Sequence, residues 1–368
     1  MPFWNNTRLR TWIKSMQRFL AFSTAPLICL LCLVAPATSV AQTQDDAQTK
    51  VETPPQSPEA IELRSPTAVP IPELEDGTAP DADLAYSAFQ RGWYLTAAAI
   101  ARPLAENGDA AAQALLGVLN EAGLGINQDK TRATQWYELA VKGGNTTAAF
   151  QLAQMYLLGT GVEPDKKKAA DLLEIAAEKG NPAALYNLAL LYQEGEGRPR
   201  DEAKARELLE QAAQQNDPDA QYALGLSYLE GVGGYDDPGQ GAFWLGRAAR
   251  RGHTAAQVYY GILRFQGRGV DTDEEEAADW FERAATAGNP VAMNRLARIY
   301  ARGRGRALDP EEAAKWHYTA RALGVSDLVL DGFVETLDEE TQLKAQKKAG
   351  KMTATILAPS SDPSRSSP

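Results

Sequence analysis

"YLLGTGVEPDKKKA" runs from Tyr156 to Ala169 and has, in isolation, the look of a ligand loop. Gly159 and Gly161 stand one residue apart, ahead of three lysines that open a predicted helix. A phosphate-cradling loop follows a strand and ends in a lysine and a serine or threonine. No strand pattern precedes this stretch, and that pair is absent.

The stretch also recurs. From Asp109 the chain repeats every 36 residues, six times without insertion or deletion: 109–144, 145–180, 181–216, 217–252, 253–288 and 289–324. The first loop glycine returns as Gly123, Gly159, Gly195, Gly231, Gly267 and Gly303. A second follows two residues later each time, and an aspartate four residues after that (Asp129, Asp165, Asp201, Asp237, Asp273, Asp309). The first glycine suits the left-handed backbone that ends a helix, and the second suits a tight reversal. The aspartate then caps the next helix. Asp237-Pro238 and Asp309-Pro310 fit that phase, since proline is tolerated in a first helical turn. These glycines therefore read as turns.

Each repeat is thus a predicted helical hairpin. Position 4 of the repeat is always alanine (Ala112 to Ala292), and position 12 is tyrosine in Tyr156, Tyr192, Tyr228 and Tyr300. The second helix carries Trp136, Trp244, Trp280 and Trp316, then an alanine four residues on. Small residues let helices approach while aromatics fill the gaps. One hairpin cannot bury its face alone, so stability comes from stacking. The expected fold is all-α: a right-handed α/α superhelix, or solenoid, of antiparallel helix pairs. A degenerate leading half-repeat spans 84–108, so the solenoid covers 81–324.

The pattern Ala-x-x-x-Leu-Gly/Ala-x-x-Tyr-x-x-Gly-x-Gly, with its downstream Asp, Ala, Trp and Ala-Ala, resembles the Sel-one-like repeat (SLR) family, relatives of tetratricopeptide repeats. Asn120 and Arg264 replace the tyrosine, Asn216 the closing glycine and Gly241 an alanine, without disturbing the period. The resemblance implies an adaptor that binds other proteins. Some bacterial members are periplasmic regulators of envelope signalling or exopolysaccharide output. Cysteine-rich members are linked to β-lactam chemistry, but the repeats of this chain contain no cysteine.

The flanks have a different character. Arg8, Arg10, Lys14 and Arg18 precede an apolar run from Phe19 to Ala35, with Ser39 and Ala41 before Gln42. That is the layout of a secretory signal, residues 1–41, cleaved after Ala41; an uncleaved N-terminal membrane anchor is the alternative. The only two cysteines, Cys29 and Cys32, lie inside it. A cysteine-free exported chain points to a bacterial periplasm. Loss of four basic and no acidic residues takes the formal net charge from -11 to -15. An acidic surface disfavours nucleic acid as a partner. Residues 42–80 form a disordered acidic linker with seven prolines and no aromatic,. Residues 325–352 read as capping helices and 353–368 as a disordered tail.

The sequence offers little chemistry. His253 and His317 fall at unrelated repeat positions and read as structural, and no metal ligand set, cofactor motif or nucleophile arrangement appears,. The expectation is a non-enzymatic protein with no cofactor and no metal. Positions 6, 10 and 13 of the first helix lie opposite the core alanine at about 100° per residue. They place Phe150, Leu157, Tyr186, Leu190, Tyr222, Leu226, Ile262 and Phe265 along the inner, concave face, as a partner-binding groove,. On that reading, truncating Tyr186 and Tyr222 to alanine leaves melting nearly unchanged; the other reading is buried packing. Arg295, Arg298 and Arg302 share one face of the basic sixth repeat and suit carboxylates,. The expected partner is another protein, such as the extracytoplasmic part of a membrane protein, with an acidic glycan as the alternative. Gly239, Gly241 and Gly246 mark either a soft point in the fourth repeat or a close helix approach.

Overall fold

The computed structural model describes residues 80–231 and 236–358. The predicted signal, nearly all of the linker and residues 359–368 lie outside the described residues. Among the described residues there are sixteen helices and no strand. A shortened hairpin, α1 (Ala82–Gln90) and α2 (Tyr94–Glu106), leads the array. The first helices of the six repeats are α3 (Ala110–Ala122), α5 (Thr146–Leu158), α7 (Pro182–Glu194), α9 (Pro218–Glu230), α11 (Thr254–Gln266) and α13 (Pro290–Arg302). Their partners are α4 (Lys130–Lys142), α6 (Lys166–Glu178), α8 (Glu202–Gln214), α10 (Pro238–Arg250), α12 (Glu274–Thr286) and α14 (Pro310–Ala322). Then follow α15 (Leu328–Glu335) and α16 (Glu339–Leu357), which packs on α14. The last helix therefore runs past residue 352. Successive helices pack on one another in tandem, which makes the array an α-solenoid.

Caps fix where each helix begins. Asp109, Asn145, Asn181, Asp217 and Asn289 each accept from the backbone N–H three residues on. The six loop aspartates do the same for the second helices. A cap of this kind contributes about 1 kcal/mol. The first helices end on a left-handed glycine, such as Gly159 with φ 69°. The N–H of each loop aspartate then donates to the carbonyl at position 12, as Asp165 does to Tyr156 at 3.0 Å, and closes the loop.

The second loop glycine has a role that the sequence reading misses. Gly269 has φ +72°, and a Cβ there would overlap the carbonyl oxygen of Pro238, at the start of the preceding repeat's second helix. Gly161, Gly197 and Gly305 meet Lys130, Lys166 and Glu274 in the same way. This glycine is where backbone touches backbone between repeats, as well as where the chain reverses.

Within a hairpin, sizes are matched. Position 9 faces position 29: Gly117 lies against the ring of Tyr137, and Gly261 against Phe281. At Leu173 and Leu209, leucines at position 29, the same clusters contain Ala153 and Ala189 at position 9, while Leu245 in the fourth repeat faces Gly225. The fourth repeat is tighter still. A Cβ on Gly241 would come 2.7 Å from Leu229, and one on Gly225 would come 3.1 Å from the Gly241 carbonyl. Gly241 and Gly246 therefore stand at close helix approaches, against Leu229 and Tyr260.

Polar contacts tie neighbouring repeats. Buried Gln113, Gln221 and Gln257 donate through Nε2 to the carbonyls of Ala105, Ala213 and Ala249 at the end of the preceding helix. Those carbonyls have no partner within their own helix. Arg198 in the third repeat pairs back to Asp171 and Glu174 at 2.7 and 2.8 Å. Arg306 pairs with Asp279 and Glu282, the equivalent positions of the fifth repeat. Another junction contact occurs with its signs exchanged: Lys166 with Glu196, and Glu274 with Arg304.

Candidate partner-binding surface

Position 6 supplies the aromatic row from consecutive first helices. Phe150, Tyr186 and Tyr222 are all half-buried and packed against the core clusters. They are neither free nor sealed, so truncating Tyr186 and Tyr222 removes packing as well as surface. Burial, then the carboxylates of Asp219 and Asp217, push the Tyr186 phenol up. The Tyr222 phenol is also pushed up, by burial first and then by Tyr259.

Beyond Tyr222 the row changes residue. Val258, at position 6 of the fifth repeat, is buried, and the aromatic place passes to its neighbour Tyr259. The Tyr222 and Tyr259 rings meet edge to face with centroids 5.8 Å apart. Tyr222 also stacks on His253 at 4.4 Å. That histidine caps α11, its Nδ1 accepting from the Ala256 N–H at 3.0 Å while Nε2 lies 3.2 Å from Asp219. With Nδ1 accepting, the ring proton sits on Nε2, toward the carboxylate. Tyr259 escapes a reading based on positions 6, 10 and 13 because position 7 lies only about 100° round the helix. The signal available was its adjacency to a valine where the three preceding repeats carry an aromatic.

Leu157, Leu190, Ile262 and Phe265 are half-buried along the same helices. Leu226 must be withdrawn from the groove. It is 7% exposed, in a cluster with Ala242, Leu245, Ala256 and Tyr260, and so packs the fourth repeat against the fifth.

The arginine cluster of the sixth repeat is also altered. Arg298 is committed to Asp327, with Nε 2.6 Å from Oδ2, and Asn294 donates to the same oxygen at 2.9 Å. Arg304 and Arg306 are paired with acids of the fifth repeat, and Arg321 with Asp331. Arg304 also lies over the Phe265 ring at 4.6 Å. Arg295 is half-buried; burial, then the charge on Arg298, pull its pKa down. Arg302 is exposed. Two of these arginines therefore tie the sixth repeat to the fifth, and Arg298 and Arg321 tie it to the segment that follows.

Asp327 caps α15 and anchors it to α13. Burial opposes its charge, but the bonds from Arg298 and Asn294 prevail and hold its carboxyl below the ordinary range. A carboxylate of depressed pKa stabilises above its unfolded value of about 3.9 and loses that contribution as pH falls through the folded value. The α15 segment is expected to open below about pH 4, before the helical repeats melt. Pulse-labelling hydrogen exchange over 326–337 would show this step, and Asp327→Asn would abolish it.

Among the described residues no cluster of His, Asp and Glu is placed to hold a metal. His317 is buried in α14, with Nε2 2.8 Å from Asp331. No helix among the described residues is long and apolar enough to cross a membrane.

The repeats match the Sel1 repeat family model six times in succession, over 110–145, 146–181, 182–217, 218–253, 254–289 and 290–325. A Sel1 repeat protein from Oxalobacter formigenes is similar in structure, with 27% identity and a TM-score of 0.61; the match covers 68% of this chain and all of that one. A protective antigen with an SLR fold, present in uropathogenic Escherichia coli strains, is 24% identical with a TM-score of 0.50. That match covers 77% of this chain and 73% of the antigen, and it speaks to fold alone. No curated protein is detectably similar in sequence. Sel1 repeat proteins are typically scaffolds for protein–protein interaction and are generally non-enzymatic. With six tandem copies spanning more than half its length, the chain belongs to the Sel1 repeat family.

Proposed function

We propose that this protein is an exported, periplasmic adaptor that holds a segment of a partner protein along the face of its first helices. The partner would be the extracytoplasmic part of a membrane protein, and the outcome a regulatory step in the cell envelope. One observation carries the reading: Phe150, Tyr186, Tyr222 and Tyr259 are half-buried aromatic residues at matching places in four consecutive repeats. Such rings are rigid and amphipathic, and they supply contact area at low entropic cost. The pairing of most sixth-repeat arginines weighs against an acidic glycan as the main ligand.

A photo-crosslinking residue at position 190, on the proposed face, is expected to capture a discrete protein in intact cells. The same residue in place of Ile175, exposed on a second helix, should not. With the crosslinking residue kept at position 190, Phe150→Lys should abolish capture while the helical fold is retained, since a lysine stem keeps apolar contact while the ammonium reaches solvent. Retention of polysaccharide in place of protein would favour the glycan reading. Equal labelling from both faces would sink the adaptor.

A further inference from the structure

Helix α10 carries a second surface, away from the aromatic row. Phe243 is half exposed on it, and with Arg247, Arg250 and Arg251 it lines an open cleft of about 500 Å³. Phe243 meets Trp244 edge to face at 5.1 Å. The Arg247 guanidinium lies over both rings, 5.7 and 5.2 Å from their centroids. It also donates to Asn216 Oδ1 at 2.7 Å. Asn216, with φ 70°, is the one described residue other than glycine in the left-handed region. Arg247 is thus held in place by two rings and the Asn216 side chain.

None of the three arginines pairs with a carboxylate among the described residues, whereas Arg198, Arg264, Arg298, Arg304 and Arg306 all do. The equivalents of Phe243 in neighbouring repeats are Asp171, Glu207 and Asp279. A local charge of +3 around an exposed ring is therefore peculiar to the fourth repeat of an acidic protein.

We propose that the exposed face of α10 binds an acidic peptide segment of a partner protein, a carboxylate on Arg247 and an adjacent apolar side chain on Phe243. A guanidinium takes a carboxylate through two parallel hydrogen bonds. The charge of the whole chain decides the class of anion. Long polyanions are repelled by a surface carrying excess negative charge, while a short acidic motif needs only the local field. The cleft suits a few side chains rather than a cofactor. This surface is independent of the groove, and substitutions on either face test only that face.

The test uses the full chain and a fluorescein-labelled dodecapeptide of Asp, Glu, Leu and Phe, with an Asn/Gln isostere as control. Anisotropy should show binding of the acidic peptide only, weakening as salt rises past 0.15 M, where screening lengths fall below about 8 Å. Arg247→Gln with Arg250→Gln and Arg251→Gln should weaken it at least about tenfold, charge-assisted pairs being the strong ones. Since Arg247 supports Asn216, Arg250→Gln with Arg251→Gln is the second variant. It leaves that bond intact and should by itself weaken binding several-fold at unchanged melting. Phe150→Lys with Leu190→Lys should leave this binding unchanged. Equal binding of the isostere, indifference to both arginine variants, or stronger competition by tripolyphosphate would overturn the proposal. Equal competition by a peptide of residues 42–79 would also overturn it, assigning the site to this chain's own acidic segment.

Discussion

Gly269→Ala is expected to lower the melting temperature by about 6–12 °C, a loss of roughly 3 kcal/mol in an array of this size. Two costs add. A left-handed backbone is unfavourable for alanine by about 1–2 kcal/mol. The new methyl would also overlap the Pro238 carbonyl, which is backbone at a helix start and cannot rotate away. Gly252→Ala separates the two, because Gly252 has φ +89° with nothing within 4 Å of a Cβ. It should lose only the first part. Gly252→Asn should cost less still, since Asn216 already occupies the same repeat position with φ 70°. If Gly252→Ala and Gly269→Ala melt alike, the contact between repeats carries no energy of its own.

Gly117→Ala should also destabilise, by roughly 2 kcal/mol in urea, although alanine is favoured over glycine within a helix by about 1 kcal/mol. The added methyl would lie within the ring of Tyr137, which is 1% exposed and donates to Glu121 at 2.8 Å. A buried ring held at its hydroxyl has nowhere to go. Tyr137→Leu alone opens a gap and should lose about 2 kcal/mol or more. The double variant recreates the alanine–leucine match of Ala153 with Leu173 and Ala189 with Leu209. It should therefore be more stable than the sum of the singles, by about 1–3 kcal/mol in a double-mutant cycle. Additive losses would mean that the size matching within hairpins is incidental.

The fold was legible because its punctuation is local. Glycine, aspartate and proline act within a few residues of where they stand, and six copies let each position be checked against five others. Alanine at position 4 and the caps at positions 1 and 21 needed no structure. The surface was less legible, because burial depends on partners a repeat away. Leu226 and Leu190 occupy the same repeat position, yet Leu226 is buried and Leu190 is half-buried, since Leu226 clusters with Ala256 and Tyr260 of the next repeat. The basic sixth repeat misled because the sequence was summed within that repeat. Its carboxylates lie outside it, upstream for Arg304 and Arg306 (Glu274 and Asp279) and downstream for Arg298 and Arg321 (Asp327 and Asp331). Reading position 16 of each repeat against position 22 of the one before would have found the first pair. The α10 patch needed the fold, because its meaning lies in which arginines were left without acids.

The sign-exchanged junctions, Lys166 with Glu196 and Glu274 with Arg304, bear on how such a chain can shorten during evolution. Excising residues 217–288 would join the third repeat to the sixth and set Glu202 against Arg304, opposite charges, with Glu207 and Glu210 beneath Arg306. Excising residues 181–252, an equal length in the same phase, would set Lys166 against Arg268, two cations at one seam. Both deletions keep the 36-residue period, but only the first leaves a seam that attracts. Modules that look interchangeable by period differ in the polarity of their seams, a bias of about 1 kcal/mol or less per exposed pair among shorter descendants.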